Sequence, residues 1–196
     1  MCLRRYLQTR RDRRLWEEAG SPQLDDQLLA NCRTISCREQ LLERLPRGGV
    51  VAEVGVLWGN FTQEILTRTE PEELHLIDIR RWWGDRFAPL GNRVREHIGD
   101  SSSMLLEFPD HYFDWIYIDA DHEYDGVRKD IEAAVRKVKP EGLLVFNDYT
   151  NYDPLLRMPY GVARAVNEFC LAERWEIVYM ALQGMGFHDV ALRKAA

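Results

Sequence analysis

The spacing of apolar positions changes character at Gly48-Gly49. Beyond it, short β-branched and aromatic runs at 50–54, 74–77, 95–98, 115–118 and 143–146 alternate with stretches at 60–68, 85–92, 102–108, 124–138 and 161–171 that carry helical spacing. Strand and helix in strict alternation predict a parallel sheet covered by helices on both faces, joined by right-handed crossovers. Two further strand-like runs, 175–180 and 187–192, are separated only by Gly-containing sequence, which predicts a terminal hairpin and one antiparallel strand. The expected fold is α/β, a doubly wound seven-stranded sheet, mostly parallel. Before Gly48 the chain is polar and leans to helix. Ser36-Cys-Arg-Glu39 has the form of a capping box, opening a helix with Leu41, Leu42 and Leu45 that stops at Pro46. The predicted division is a helical extension or cover over 1–48 and a ligand-binding domain over 49–196.

Composition narrows the class. A chain of 196 residues with 45% hydrophobic and 30% charged residues suits one soluble domain. Its longest apolar runs, such as 143–146, fall far short of the roughly 20 residues of a bilayer span, so no membrane association is expected. Cys2, Cys32, Cys37 and Cys170 show no CxxC spacing, and the Met1-Cys-Leu-Arg-Arg start lacks the apolar run of a signal peptide; a reduced, cytoplasmic protein is expected. The formal net charge of -6 is unevenly spread: Arg4, Arg5, Arg10, Arg11, Arg13 and Arg14 make the start basic and leave the body strongly acidic. An acidic body argues against nucleic acid as a partner, and the basic arm reads as a solvated tail or a helix on an acidic neighbour.

In a parallel sheet, ligands bind beyond the carboxyl ends of the strands. The first strand runs into Glu53-Val-Gly-Val-Leu-Trp-Gly-Asn60, an E-x-G-x-x-x-G pattern in which Gly55 and Gly59 permit a tight turn before a helix. Position 57 is Leu and a third Gly is missing, which disfavours a pyrophosphate cradle. The second strand ends at Asp78, placed to accept ribose hydroxyls. The third ends at Asp100-Ser101, where Asp100 would receive an exocyclic amine and Ser101 would cap the next helix. These features outline an adenosine site without a phosphate site. The fourth strand ends in Asp119-Ala-Asp-His122-Glu-Tyr124, and the fifth in Asn147-Asp148-Tyr149. Asp119, Asn147 and Asp148 offer oxygen donors suited to Mg²⁺, with His122 at the rim as a general base.

These residues resemble class I S-adenosylmethionine-dependent methyltransferases over about 36–194. The D-A-D-H-x-Y stretch, with Val127, Asp130, Gly142 and Asn147-Asp148-Tyr149, resembles more narrowly the small group related to macrocin-type sugar O-methyltransferases. The resemblance implies a Rossmann-like fold and S-adenosyl-L-methionine as cofactor, lined by Glu53, Gly55, Gly59, Asn60, Asp78, Asp100, Ser101 and Asp119. It implies Mg²⁺ at Asp119, Asn147 and Asp148, and His122 with Asp119 as the catalytic pair. The group usually has two Asp where this chain has Asn147-Asp148. The expected reaction is O-methylation of a hydroxyl on a small glycosylated or diol acceptor, walled by Trp82, Trp83 and the loop 150–160 with Tyr152 and Tyr160. A homodimer contact through the extension is a further expectation. The rival readings are a nicotinamide-dependent oxidoreductase, disfavoured because no Tyr-x-x-x-Lys pair occurs, and a cofactor-binding module without turnover.

Overall fold

The computed structural model describes residues 20–195; the Arg-rich arm and Cys2 lie outside the described residues. In chain order the elements are β1 (Arg33–Ile35), α1 (Arg38–Leu42), β2 (Val50–Val54), α2 (Asn60–Thr69), β3 (Glu73–Asp78), β4 (Val94–Ile98), α3 (Ser101–Leu106), β5 (Phe113–Ile118), α4 (Tyr124–Lys137), β6 (Val138–Phe146), β7 (Tyr152–Asp153), β8 (Met158–Pro159), α5 (Val162–Glu173), β9 (Trp175–Ala181) and β10 (Asp189–Lys194). The main sheet has the order β1-β9-β10-β6-β5-β2-β3-β4. Strand β10 runs antiparallel to both β6 and β9, and every other neighbouring pair is parallel. The α/β, mostly parallel Rossmann-like architecture with an antiparallel terminal strand is therefore as the sequence predicts.

The strand count differs, with eight in the main sheet rather than seven. The additional strand, β1, is three residues long and pairs only with β9, Thr34 opposite Met180. Such a segment is too short to carry an alternating pattern and takes its order from the edge it joins. Two other local predictions fail. Helix α1 begins after Cys37, which makes no side-chain capping bond, so the Ser36–Glu39 capping box does not form. The helix expected at 85–92 is a short 3₁₀ stretch, Ala88–Arg93, interrupted at Gly91, where φ is 53°. Among the described residues, no helix is long and apolar enough to cross a membrane.

Alternation along the central strands divides the interior into two cores. Phe113, Ile116 and Ile118 of β5 and Ala52 and Val54 of β2 face α3, α4 and α5, whereas Trp115, Tyr117 and Val51 face α1 and α2. Register then aligns the strand ends. Val54 lies opposite both Ile77 and Ile118, and Ile118 lies opposite Phe146. Gly55, Asp78, Asp119 and Asn147 thus emerge side by side at one edge.

Candidate active site

At that edge opens a cavity of about 700 Å³, a volume suited to a small molecule or cofactor. Its lining includes Glu53, Gly55, Asn60, Asp78, Asp100, Ser101, Asp119 and His122 from the sequence prediction. Arg38, Trp58, Lys129 and Asp130 are among the lining residues that had no specific role from the sequence.

The glycine loop is shaped from within. Gly55 has φ 86°, and a Cβ there would lie 1.9 Å from the Asp119 carbonyl oxygen, so β2 and β5 can close together only without a side chain. Gly59, at φ 72°, precedes α2, whose N-terminus has no side-chain cap; a Cβ there would meet the Phe87 ring at 2.6 Å. Asp78 clamps the loop, its Oδ2 accepting the Val56 and Leu57 amides, both at 2.9 Å, and its Oδ1 accepting the Arg80 amide at 3.0 Å. Leu57 is held there at φ 49°. Asn60 faces the cavity and accepts Arg86 Nη1 at 2.9 Å.

Glu53 is buried at the floor, with Oε2 accepting the Thr62 hydroxyl at 2.5 Å. Desolvation pushes its pKa up to about 8 against that hydrogen bond, and Asp119 adds to the rise. At the opposite end, Asp100 is the helix cap. Its Oδ2 accepts the Ser103 amide at 2.9 Å and the Ser102 and Ser103 hydroxyls, bonds that hold its pKa down. The capping role expected of Ser101 therefore belongs to Asp100. Ser101 instead donates to Asp130 Oδ1 at 2.6 Å. Asp130 Oδ2 is buried without a hydrogen-bond partner, and burial pushes this carboxyl up to about 6.

Past β5 and β6, the side chains of Asp119, His122 and Asp148 converge. His122 Nε2 lies 3.5 Å from both Asp119 Oδ1 and Asp148 Oδ2, closed off from solvent and not hydrogen-bonded to either. Burial disfavours the imidazolium, but the charges of Asp119, Asp148 and Asp121 outweigh it and raise the pKa above 6.5. Burial, reinforced by Asp119, pushes Asp148 up to about 6. Tyr160 covers the ring, stacked at 4.6 Å between centroids, and its hydroxyl donates to Asp153 Oδ2 at 3.0 Å.

The oxygen triad expected for Mg²⁺ does not assemble. Asn147 is buried, and its Nδ2 donates 3.0 Å to Asp189 Oδ1, which commits the side chain to the interior of the sheet. A nitrogen, His122 Nε2, occupies the position between the remaining two carboxylates. Among the described residues, no group of three or more His, Cys, Asp or Glu side chains is disposed to hold a metal ion. The donor set does not fit the ion the resemblance implied. Asp189, which also accepts the Tyr117 hydroxyl at 2.6 Å, enters from β10, too far along the chain for local spacing to reveal it.

The tryptophans expected around the acceptor also divide differently. Trp83 is buried and donates to Glu96 Oε1 at 2.7 Å, a packing role. Trp82 is half-exposed and meets Trp58 edge-on at 5.7 Å. Trp58, in the glycine loop, is the tryptophan that lines the cavity.

No curated protein matches the chain. Its fold is shared by many solved structures. The 1,6-didemethyltoxoflavin N1-methyltransferase of Burkholderia thailandensis, solved with S-adenosylhomocysteine, superposes with a TM-score of 0.60 at 16% identity, covering 76% of this chain and 72% of that one. The M1A22 tRNA methyltransferase of B. subtilis gives a TM-score of 0.61 at 15% identity over 82% of this chain and 67% of that one. A Corynebacterium glutamicum protein aligns over 99% of this chain and 96% of its own, with a TM-score of 0.61 at 18% identity. Since this fold also serves a tRNA methyltransferase, the exclusion of nucleic acid argued from net charge does not stand. A family model described as "Methyltransferase domain" matches residues 52–149, the span holding the glycine loop, Asp78, Asp119, His122 and Asp148. Matched over half its length, the chain belongs to the methyltransferase domain family.

Proposed function

We propose that the protein transfers a methyl group from S-adenosylmethionine to a hydroxyl oxygen of a small acceptor. The observation that carries the oxygen assignment is His122, set between Asp119 and Asp148 on the wall of the cofactor-sized cavity. Bound S-adenosylmethionine supplies an electrophilic methyl group on a sulfonium. Asp119 gives the surrounding wall the negative charge that a sulfonium and an ammonium need, and Glu53, which burial holds protonated, lies at its floor as a hydrogen-bonding carboxyl. Asp78 faces the same cavity with oxygen lone pairs left for ribose hydroxyls, and Asp100 and Ser101 border the adenine end.

His122 Nε2 is buried against the two carboxylates, which leaves Nδ1 as the nitrogen available to an acceptor. In this arrangement the charges of the two carboxylates, 3.5 Å from Nε2, stabilise the imidazolium that forms. Nδ1 removes the hydroxyl proton as the oxygen bonds to the methyl carbon and the carbon–sulfur bond breaks to give neutral S-adenosylhomocysteine. Tyr160 and Trp58 wall the acceptor beside it.

Calorimetry with S-adenosylhomocysteine and with NAD tests the cofactor. Binding of the first alone is expected. Failure to bind it would sink the reading, and NAD binding would favour an oxidoreductase. A screen of hydroxylated acceptors with labelled methyl donor then tests oxygen as the target, and label found only on nitrogen or carbon would overturn that part.

A further inference from the structure

His122 stands in the segment between β5 and α4, and among the described residues no group hydrogen-bonds its buried Nε2. The carboxylates of Asp119 and Asp148, 3.5 Å away, attract a charge there without directing a bond. Charge can decide which edge of an imidazole faces the acids. The plane of the ring is a separate matter, because the torsion about Cβ–Cγ is broad unless another group lies against the face.

That group is Tyr160. Its ring stacks on the imidazole, 4.6 Å between centroids and 25° from parallel. The next residue, Gly161, donates its amide to the His122 carbonyl at 2.7 Å, so two consecutive residues hold the histidine by ring and by backbone. A Cβ on Gly161 would lie 2.3 Å from the Tyr124 nitrogen, and its absence lets this dipeptide settle against the start of α4.

The tyrosine is itself pinned at its far end. Its hydroxyl donates to Asp153 Oδ2 at 3.0 Å, and Asp153 Oδ1 accepts the amides of Leu155 and Leu156 at 2.6 and 3.0 Å. Both Tyr160 and Asp153 are buried. Strands β7 and β8 pair Asp153 with Met158, and the Tyr160 amide reaches the Asn151 carbonyl at 3.0 Å, closing the hairpin around the carboxylate. Burial opposes the charge on Asp153, but these hydrogen bonds outweigh it and hold its pKa below the ordinary value. A buried carboxylate is a costly anchor for one tyrosine, and the group that this tyrosine lies against is the proposed base.

We propose that Asp153 and Tyr160 are positioning residues for His122: the β7–β8 hairpin sets the plane of the imidazole, and through it the direction in which Nδ1 meets an acceptor. The inference rests on the methyl-transfer reading for its consequence and on the hairpin for its geometry. An aromatic face against the ring also suits the cation that forms when the base takes its proton.

The test is carbon relaxation of the histidine rings in the labelled full chain, with His122→Ala identifying the His122 signal. In the wild type the His122 Cε1–H bond should be as rigid as ordered backbone, with an order parameter of about 0.85. Tyr160→Leu should lower it below about 0.6. Tyr160→Phe keeps the stack and should restore most of the rigidity, and Asp153→Asn should fall between. A ring already mobile in the wild type, or an unchanged order parameter in Tyr160→Leu, overturns the proposal. So does an equal drop in the backbone amides of residues 119–124, which would mean that the whole segment had loosened and the ring had followed it. Calorimetry with S-adenosylhomocysteine on the same samples separates the two readings. Tyr160 and Asp153 are not among the residues lining the cofactor-sized cavity, so affinity should be kept in each variant. A wild type that does not bind overturns the methyl-transfer reading, whatever the ring does, and with it the role assigned to this clamp.

Discussion

At His122 a single nitrogen decides how the site responds to pH. Burial alone would favour the neutral ring, but the carboxylates at 3.5 Å reverse that preference and hold the pKa above 6.5. A protonated imidazole cannot accept the acceptor's proton, so turnover should fall on the acid side through that raised value. Asp148→Asn removes one of the charges that stabilise the imidazolium, and the acid limb of kcat/KM should move to lower pH. A limb that stays in place in this variant would assign the titration elsewhere. His122→Ala should lower kcat by about 10²- to 10⁴-fold, as measured in a single-turnover assay with labelled cofactor. The pairing of Asp119 with His122 was legible because both come from one short run after a strand. Asp100 was legible both as a cavity residue and as a helix cap, since one carboxylate serves either purpose, and only the neighbouring amide directions show that it caps. Arg38 carried no signal: it precedes the alternating pattern, and its place over Phe61 is a tertiary contact.

The glycine loop shows how an element can be fixed by its neighbours in the sheet. A side chain at Gly55 would strike backbone, the Asp119 carbonyl oxygen, while one at Gly59 would strike the edge of the Phe87 ring. Backbone in a central sheet cannot yield without disturbing strand pairing, whereas a ring can turn. Gly55→Ala should therefore cost about 3 kcal/mol or more in denaturant unfolding, and Gly59→Ala less, although both sit at positive φ. Equal losses would show that backbone conformation alone sets the requirement. The E-x-G-x-x-x-G spacing announced this loop, but its glycines serve strand closure as much as access for a ligand. The central strands were similarly legible, because β2, β3, β5 and β6 are apolar on both faces. Strand β1 and the interrupted 3₁₀ stretch at Ala88–Arg93 were not, since neither is long enough to establish a period.

Across the whole molecule, the sheet gathers acids at one edge and then buries them, which couples the site to folding stability. Glu53 rises from 4.5 to about 8 and Asp189 from 3.8 to about 7, chiefly by desolvation. In each case the folded chain keeps a proton over a range where the unfolded chain has released it, so stability falls as pH climbs from the ordinary carboxyl value to the raised one. His75 acts in the opposite direction. Desolvation, with the charges of His97 and Arg95, lowers it from 6.5 to about 3, so stability from this group rises over that interval and is complete above it. His122, raised above 6.5, adds to the fall on the alkaline side of that value. Above pH 6.5 the contribution of His75 is level and those of Glu53, Asp189 and His122 run downhill, at about 1.4 kcal/mol per pH unit for each retained proton. The unfolding midpoint of the ligand-free protein should drop from pH 6.5 to 8, and Glu53→Gln, which keeps the shape but holds no titrating proton, should flatten the slope. A profile that is level or rising over this interval in the wild type would mean that Glu53 is already ionised in the folded chain. The net charge of -6 foretold an acidic surface in general terms. That part of the acidity is paid for in stability at the carboxyl ends of the strands emerges only from the fold, where register sets Glu53 opposite Tyr117, two residues short of Asp119, and draws Asp189 in against Tyr117 and Asn147 from the far end of the chain.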